Sequence, residues 1–191
     1  MRTGDWIAVC GGGQWFVADP SPEDVRIEDI THALSLVCRF GGHCREFYSV
    51  AQHSVIVADI LREADPFDYQ LQMYGLLHDA SEAYIGDVVR PLKRSLQLYR
   101  DIEAITQETI LRGLGLPQPS EEQRAKVKAA DNVALMTERR DLVNHGDRAW
   151  QNEVEPLPYA IKAVGPGRAR TIFQFRYKTL LDCIEMRGGA R

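Results

Sequence analysis

The chain has 191 residues, 45% of them apolar, with 23 Lys and Arg against 27 Asp and Glu for a net charge of −4. That length suits one domain with its own hydrophobic core, and the acidic balance argues against a general binder of nucleic-acid polymers. With no membrane-length apolar run, no signal-peptide pattern and four cysteines (Cys10, Cys38, Cys44, Cys183) in no paired framework, the expectation is a soluble, reduced, cytoplasmic protein that does not engage a membrane.

The first element predicted is a β-hairpin. Trp6–Val9 and Trp15–Val17 flank Gly11-Gly12-Gly13, and glycines permit the positive φ of a tight turn. The same run could cradle a phosphate, but neither a Lys-Ser/Thr pair nor a helix start follows it. After Asp19-Pro20-Ser21-Pro22 the periodicity becomes helical. Ile27, Ile30, Leu34 and Val37 define a helix ending near Phe40-Gly41-Gly42. Further helices are expected over Val50–Ala64 (stopped by Pro66), Asp68–Tyr84 (stopped by Gly86), and Pro91 to Leu114. Ser120-Glu121-Glu122-Gln123 reads as a capping box opening a long helix to about Val143. Pro156, Pro158 and Pro166 mark a loop before a last helix over Ala169–Met186. The expectation is an all-α single domain with a small N-terminal hairpin over 1–20, a helical core over 27–145, and a C-terminal loop and helix over 150–191.

Several polar residues fall on stripes that should be buried. His53 shares the face of Val50, Val57 and Ile60. Taken alone, a single histidine on an apolar face is more often a hydrogen-bonded core residue than a ligand. Leu71, Tyr74 and Leu77 lead into His78-Asp79, placing an ionisable pair where packing is densest, with Glu82 one turn beyond His78. A buried carboxylate either protonates or finds a cation, and an internal His78–Asp79 hydrogen bond is the plainer alternative. Asp131 points with Val127, Ala134 and Leu135; a salt bridge to Lys128 would explain it if it lay on the rim. Two imidazoles and two carboxylates from three helices can converge on one divalent ion. Mixed nitrogen and oxygen donors suit Mn²⁺, Co²⁺, Fe²⁺ or Mg²⁺. Cys38 and Cys44 flank His43, but no second cluster accompanies them as a structural zinc site would require. Lys93, after Pro91, is a candidate phosphate contact or a solvated surface lysine. Glu138 could orient a ligand or pair with Arg139 or Arg140.

The ordered set His53, His78-Asp79, Asp131 resembles the metal-binding signature of the HD-domain phosphohydrolases, an all-helical superfamily. The flanks Tyr48-Ser49-Val50-Ala51-Gln52-His53-Ser54 and Leu76-Leu77-His78-Asp79-Ala80-Ser81-Glu82-Ala83-Tyr84-Ile85-Gly86-Asp87 are similar to the small bacterial 5′-deoxynucleotidases and phage dATP triphosphohydrolases. The resemblance implies metal ligands at His53, His78, Asp79 and Asp131. It implies a catalytic carboxylate at Glu82, a second near the scissile oxygen at Asp87, and a phosphate-binding arginine at Arg39. At Phe40 it implies an aromatic beside the sugar, where the deoxynucleotidases carry tryptophan. The expected activity is metal-dependent hydrolysis of a small nucleotide at the α-phosphorus, with a deoxynucleoside 5′-monophosphate as substrate and a homo-oligomeric assembly. The alternatives are release of triphosphate from a deoxynucleoside triphosphate, for which Arg90, Lys93 and Arg94 could supply the extra cations, and a catalytically silent nucleotide sensor.

Overall fold

The computed structural model describes residues 2, 4–144, 146, 150 and 154–188. The expected segment ends at residues 1, 145 and 191 lie outside these. The protein is helical with one small antiparallel hairpin, β1 (Trp6–Ala8) and β2 (Gln14–Phe16), paired in the register Trp6 to Phe16 and Ala8 to Gln14. Gly12 takes φ 81° in the connection. The Gly11 amide donates to Asp29 Oδ1 at 2.5 Å, so the glycine run serves as a turn docked on the first helix. Trp15 is fully buried and stacks on Tyr84 with ring centroids 3.9 Å apart.

Helix α1 (Ile27–Leu36) buries Ile30 and Leu34, but ends before the predicted Phe40. Val37–Arg39 runs extended instead. The Arg39 amide donates to Tyr48 O and the Val50 amide to Val37 O, so these residues exchange helical bonds for a bridge to the segment before the next helix. A tight turn follows over Arg39–Gly42, with Phe40 and Gly41 in the left-handed region.

Helix α2 (Val50–Ala64) begins where expected, with Ser49 Oγ accepting from the Gln52 amide. Its antiparallel neighbour α3 (Tyr69–Leu77), capped by Asp68, packs against it through Gly75. A Cβ at Gly75 would stand 2.5 Å from Leu61 Cδ1 and 3.4 Å from Ala58 Cα, so the missing side chain is what lets the two helices approach closely.

The predicted helix 68–84 is in fact two. After Leu77 the chain passes through tight turns, with Ala80, Glu82 and Tyr84 amides bonding three residues back. Helix α4 (Glu82–Ile85) then forms. Gln107 compensates for the break: its Nε2 donates to Leu77 O at 2.7 Å and its Oε1 accepts from the Ser81 amide at 3.1 Å. The stretch from Pro91 likewise divides, into α5 (Arg90–Lys93) and α6 (Gln97–Gly113). Helix α7 (Glu121–Leu142) starts with the expected Ser120/Gln123 capping box. Helix α8 (Pro166–Gly188) lies across α1, α2 and α3, burying Ala169, Phe173 and Leu180. Among the described residues, no helix is long and apolar enough to cross a membrane.

Candidate metal centre and adjoining pocket

The three polar anomalies of the sequence meet at one point. α2 supplies His53, the end of α3 supplies His78 and Asp79, and α7 supplies Asp131. The close α2–α3 approach at Gly75 brings the two Nε2 atoms to 3.2 Å. His78 Nε2 stands 3.1 Å from Asp79 Oδ2, and His53 Nε2 stands 3.6 Å from the same oxygen. His53, His78 and Asp79 form a group of donor atoms all within 4.8 Å of one another. Asp131 lies slightly to one side of that trio, its Oδ1 reaching His53 Nε2 at 3.3 Å and His78 Nε2 at 4.0 Å. Ligands about 2.1 Å from a common ion stand about 3.0 to 3.4 Å apart as neighbours and about 4.2 Å apart when opposite. The separations within the trio, and from Asp131 to the two imidazoles, run from 3.1 to 4.0 Å and lie between those limits, whereas Asp131 stands outside the group whose ligand atoms all lie within 4.8 Å of one another.

Hydrogen bonds on the far side of each ring fix which nitrogen faces inward. His53 Nδ1 lies 2.6 Å from Glu138 Oε1, and His78 Nδ1 lies 2.8 Å from Gly75 O. A carboxylate and a carbonyl can only accept, so both Nδ1 atoms carry hydrogen and both neutral rings turn a lone pair inward at Nε2. Two lone pairs and two carboxylate oxygens thus converge with no donor among them. Such a set demands positive charge. In the protein alone the demand falls on His53, whose pKa is pushed up to about 9: burial and Arg39 both lower it, but Glu138 and Asp131 outweigh them. Asp79 and Asp131 are held well below the usual carboxylate range despite burial, Asp79 chiefly by His78 and Asp131 chiefly by His53. This donor set fits a divalent cation.

The sequence left Asp131 with two explanations, and each of its oxygens takes one. Oδ1 faces the imidazoles, while Oδ2 accepts from Lys128 Nζ at 2.5 Å and Arg90 Nη2 at 3.2 Å. Asp131 is nonetheless buried, at 6% exposure.

Glu138, two turns along α7 from Asp131, was left open by the sequence and proves central. It is fully buried, and its Oε1 accepts from Tyr48 OH at 2.9 Å as well as facing His53. Its Oε2 accepts from Arg39 Nε at 3.3 Å and Nη2 at 3.0 Å. Burial would raise its pKa, but Arg39, His53 and Tyr48 together hold it below the ordinary value. Arg39 is itself buried, and its Nη1 stands 3.6 Å from Asp79 Oδ2. Burial would strip its proton more easily, yet Glu138, Asp79 and Asp131 more than reverse this. The guanidinium is therefore a permanent charge beside the donor cluster.

Asp79 and Asp131 of the cluster, with Arg39, line the floor of a pocket of about 440 Å³, and the two imidazoles lie behind them. Glu82 and Asp87 line it beside Asp79 and Asp131. Glu82 is 4% exposed, and its Oε2 has no hydrogen-bond partner. Burial first, then the charges of Asp79 and Asp87, push its pKa well above a normal glutamate's. Asp87 is half-buried and also raised, by burial and by Asp79. Basic residues Arg90, Lys93, Arg94 and Lys128 also line the pocket, with Arg94 and Lys128 exposed at its mouth. Lys93 is paired with Glu103 while still lining the pocket. Phe40, Val89, Leu135 and Trp150 supply an apolar wall. Trp150 was not foreseen, since nothing in its loop ties it by spacing to residues a hundred positions earlier.

No family model matches the chain. Uncharacterized protein YfdR of Escherichia coli K12 is 34% identical to it over 181 residues, which cover 93% of this chain and 96% of that protein. An uncharacterized protein of Rhodobacter capsulatus is 30% identical over 188 residues, covering 92% and 95% respectively.

Proposed function

The chain belongs to the family of YfdR. From the arrangement of its own side chains and the motifs that carry them, we propose that it is an HD-domain, metal-dependent phosphohydrolase of small nucleotides. The observation that carries this reading is the ligand group of His53, His78 and Asp79, with Asp131 beside it, next to a buried arginine and a buried glutamate whose Oε2 has no partner. His53, His78, Asp79 and Asp131 would hold one divalent ion, of the Mn²⁺, Co²⁺, Fe²⁺ or Mg²⁺ type. When bound, such an ion supplies Lewis acidity, acidifying water and drawing charge from phosphoryl oxygens.

The remaining work falls to the chain. Arg39, held by Glu138 through Nε and Nη2, offers the Nη1 end of its guanidinium to the phosphate. Glu82 is the proton carrier: its low-dielectric site favours the protonated form, and it lines the pocket beside Asp79. Asp87 adds a second carboxyl near the leaving oxygen. Water adds at the α-phosphorus, the bond to the 5′ oxygen breaks, and a deoxynucleoside 5′-monophosphate yields nucleoside and orthophosphate.

A second reading, release of triphosphate from a deoxynucleoside triphosphate, is favoured by one observation: Arg90, Lys93, Arg94 and Lys128 line the pocket in addition to Arg39. Product chromatography separates the two. The protein loaded in turn with Mn²⁺, Co²⁺ and Mg²⁺ is incubated with matched nucleoside mono- and triphosphates. Orthophosphate from monophosphates is the expected result; intact triphosphate moves the protein to the second reading. Absence of turnover with every metal contradicts both and leaves a nucleotide sensor.

A further inference from the structure

We propose that Phe40 and Trp150 form a docking wall for the planar base of the substrate, a subsite that rests on the nucleotide reading above and adds where the base lies. Phe40 is the only non-glycine residue with positive φ among the described residues. It sits at φ 57°, ψ 25°, followed by Gly41 and Gly42, also left-handed. Glycine is the residue that adopts this conformation without strain, and it fills the next two positions. A phenylalanine held there against its own preference is strain retained at a site, which points to a use for the ring.

The surroundings define that use. Phe40 directly follows the buried Arg39, so its ring is tied to the proposed phosphate end of the pocket. Its centroid lies 6.4 Å from that of Trp150, at an interplanar angle of 49°, and both rings line the cavity. A guanidinium stands over each: Arg39 Cζ is 5.4 Å from the Phe40 centroid and Arg139 Cζ is 5.1 Å from that of Trp150. Leu135, one helical turn after Asp131, continues the apolar surface down to the metal centre. The pocket therefore has a charged floor and an apolar aromatic side. Its ligand is an anion carrying a flat, uncharged ring, which is the chemistry of a nucleotide and not of a simple phosphate ester.

Base stacking on aromatic side chains is sequence-tolerant and strong enough to read in binding. The test uses metal-stripped protein, so nothing turns over, titrated calorimetrically with dAMP, dTMP, AMP and inorganic phosphate. Phe40→Gly and Trp150→Ala should each weaken the three nucleotides about ten-fold or more, deoxy and ribo alike, and leave inorganic phosphate unchanged. Phe40→Gly should do so with its melting temperature near that of the wild type, because the glycine removes the strain. Unchanged nucleotide binding in both variants would overturn the proposal, as would a change confined to the ratio of AMP to dAMP, which marks a sugar contact. Loss of binding only alongside a steep drop in melting temperature in both variants would also overturn it, as a structural role. Wild-type protein that binds the nucleotides through these rings but hydrolyses none would break the phosphohydrolase reading alone.

Discussion

The floor and the mouth of the pocket are built on opposite principles. At and beneath the floor, the buried charges of His53, Glu138 and Arg39 are each held by another group: His53 by Glu138, Glu138 by Tyr48 and Arg39, Arg39 by Asp79. At the mouth, Lys93 and Lys128 pair singly with Glu103 and Asp131 and keep much of their surface in water. Buried charges are costly unless each is matched, so the floor tolerates little change. Exposed pairs contribute about 0 to 1 kcal/mol, so the mouth can vary. The difference teaches that the metal and phosphate chemistry is set by the floor, and that substrate choice is left to the mouth.

That contrast can be broken at its strongest point first. Asp131→Ala removes an inward-facing oxygen and frees Arg90 and Lys128 together; Mn²⁺ affinity should fall by at least about 100-fold by calorimetry, and turnover should fall to background. Glu138→Gln keeps the shape but not the charge. It should lower Mn²⁺ affinity about 10- to 100-fold and raise KM as Arg39 loses its anchor, although Glu138 touches neither metal nor substrate. Glu138→Ala should also destabilise the fold by about 3–5 kcal/mol in urea unfolding, since Arg39 is left buried with its main partner gone. Gln107→Ala sharpens the picture further out. It strips the Ser81 amide of its partner and the Leu77 carbonyl of one of two, so about 1–3 kcal/mol of stability should be lost. Because Glu82 begins the very next helix, kcat should fall more than Mn²⁺ affinity. The smallest effect belongs to the mouth: Lys93→Ala should change KM for a monophosphate only a few-fold and leave the melting temperature within about 2 °C of the wild type. A much larger KM effect with triphosphates would place their β- and γ-phosphates at this rim.

The inward-facing residues were legible because each violates a helical stripe. His53, His78 and Asp131 stand among residues that should be buried, and a polar group there calls for a partner. The capping box and the span of α2 were legible for the same local reason. Glu138 was harder to read: seven residues after Asp131 it shares that face, but Arg139 and Arg140 beside it offered an equally good surface pairing. The break after Leu77 left no mark, because His78-Asp79-Ala80-Ser81 contains neither glycine nor proline. What holds it open is Gln107, thirty residues on in the chain from Leu77. Phe40 looked like the tail of a helix because the run Ile27, Ile30, Leu34, Val37 has the right period. The bridge from Val37 and Arg39 to Val50 and Tyr48 outweighs it, and that is a tertiary effect no local pattern records.

The central claim is that the inward-facing atoms of His53, His78, Asp79 and Asp131 are a cation site. Titration of chelator-treated protein with Mn²⁺, followed by electron paramagnetic resonance, tests it directly. The account predicts one bound ion per chain, lost in His78→Ala and in Asp131→Ala while both variants keep the helical signal of the wild type. No Mn²⁺, Co²⁺ or Mg²⁺ binding by the wild type, or unchanged binding in both variants, would contradict it.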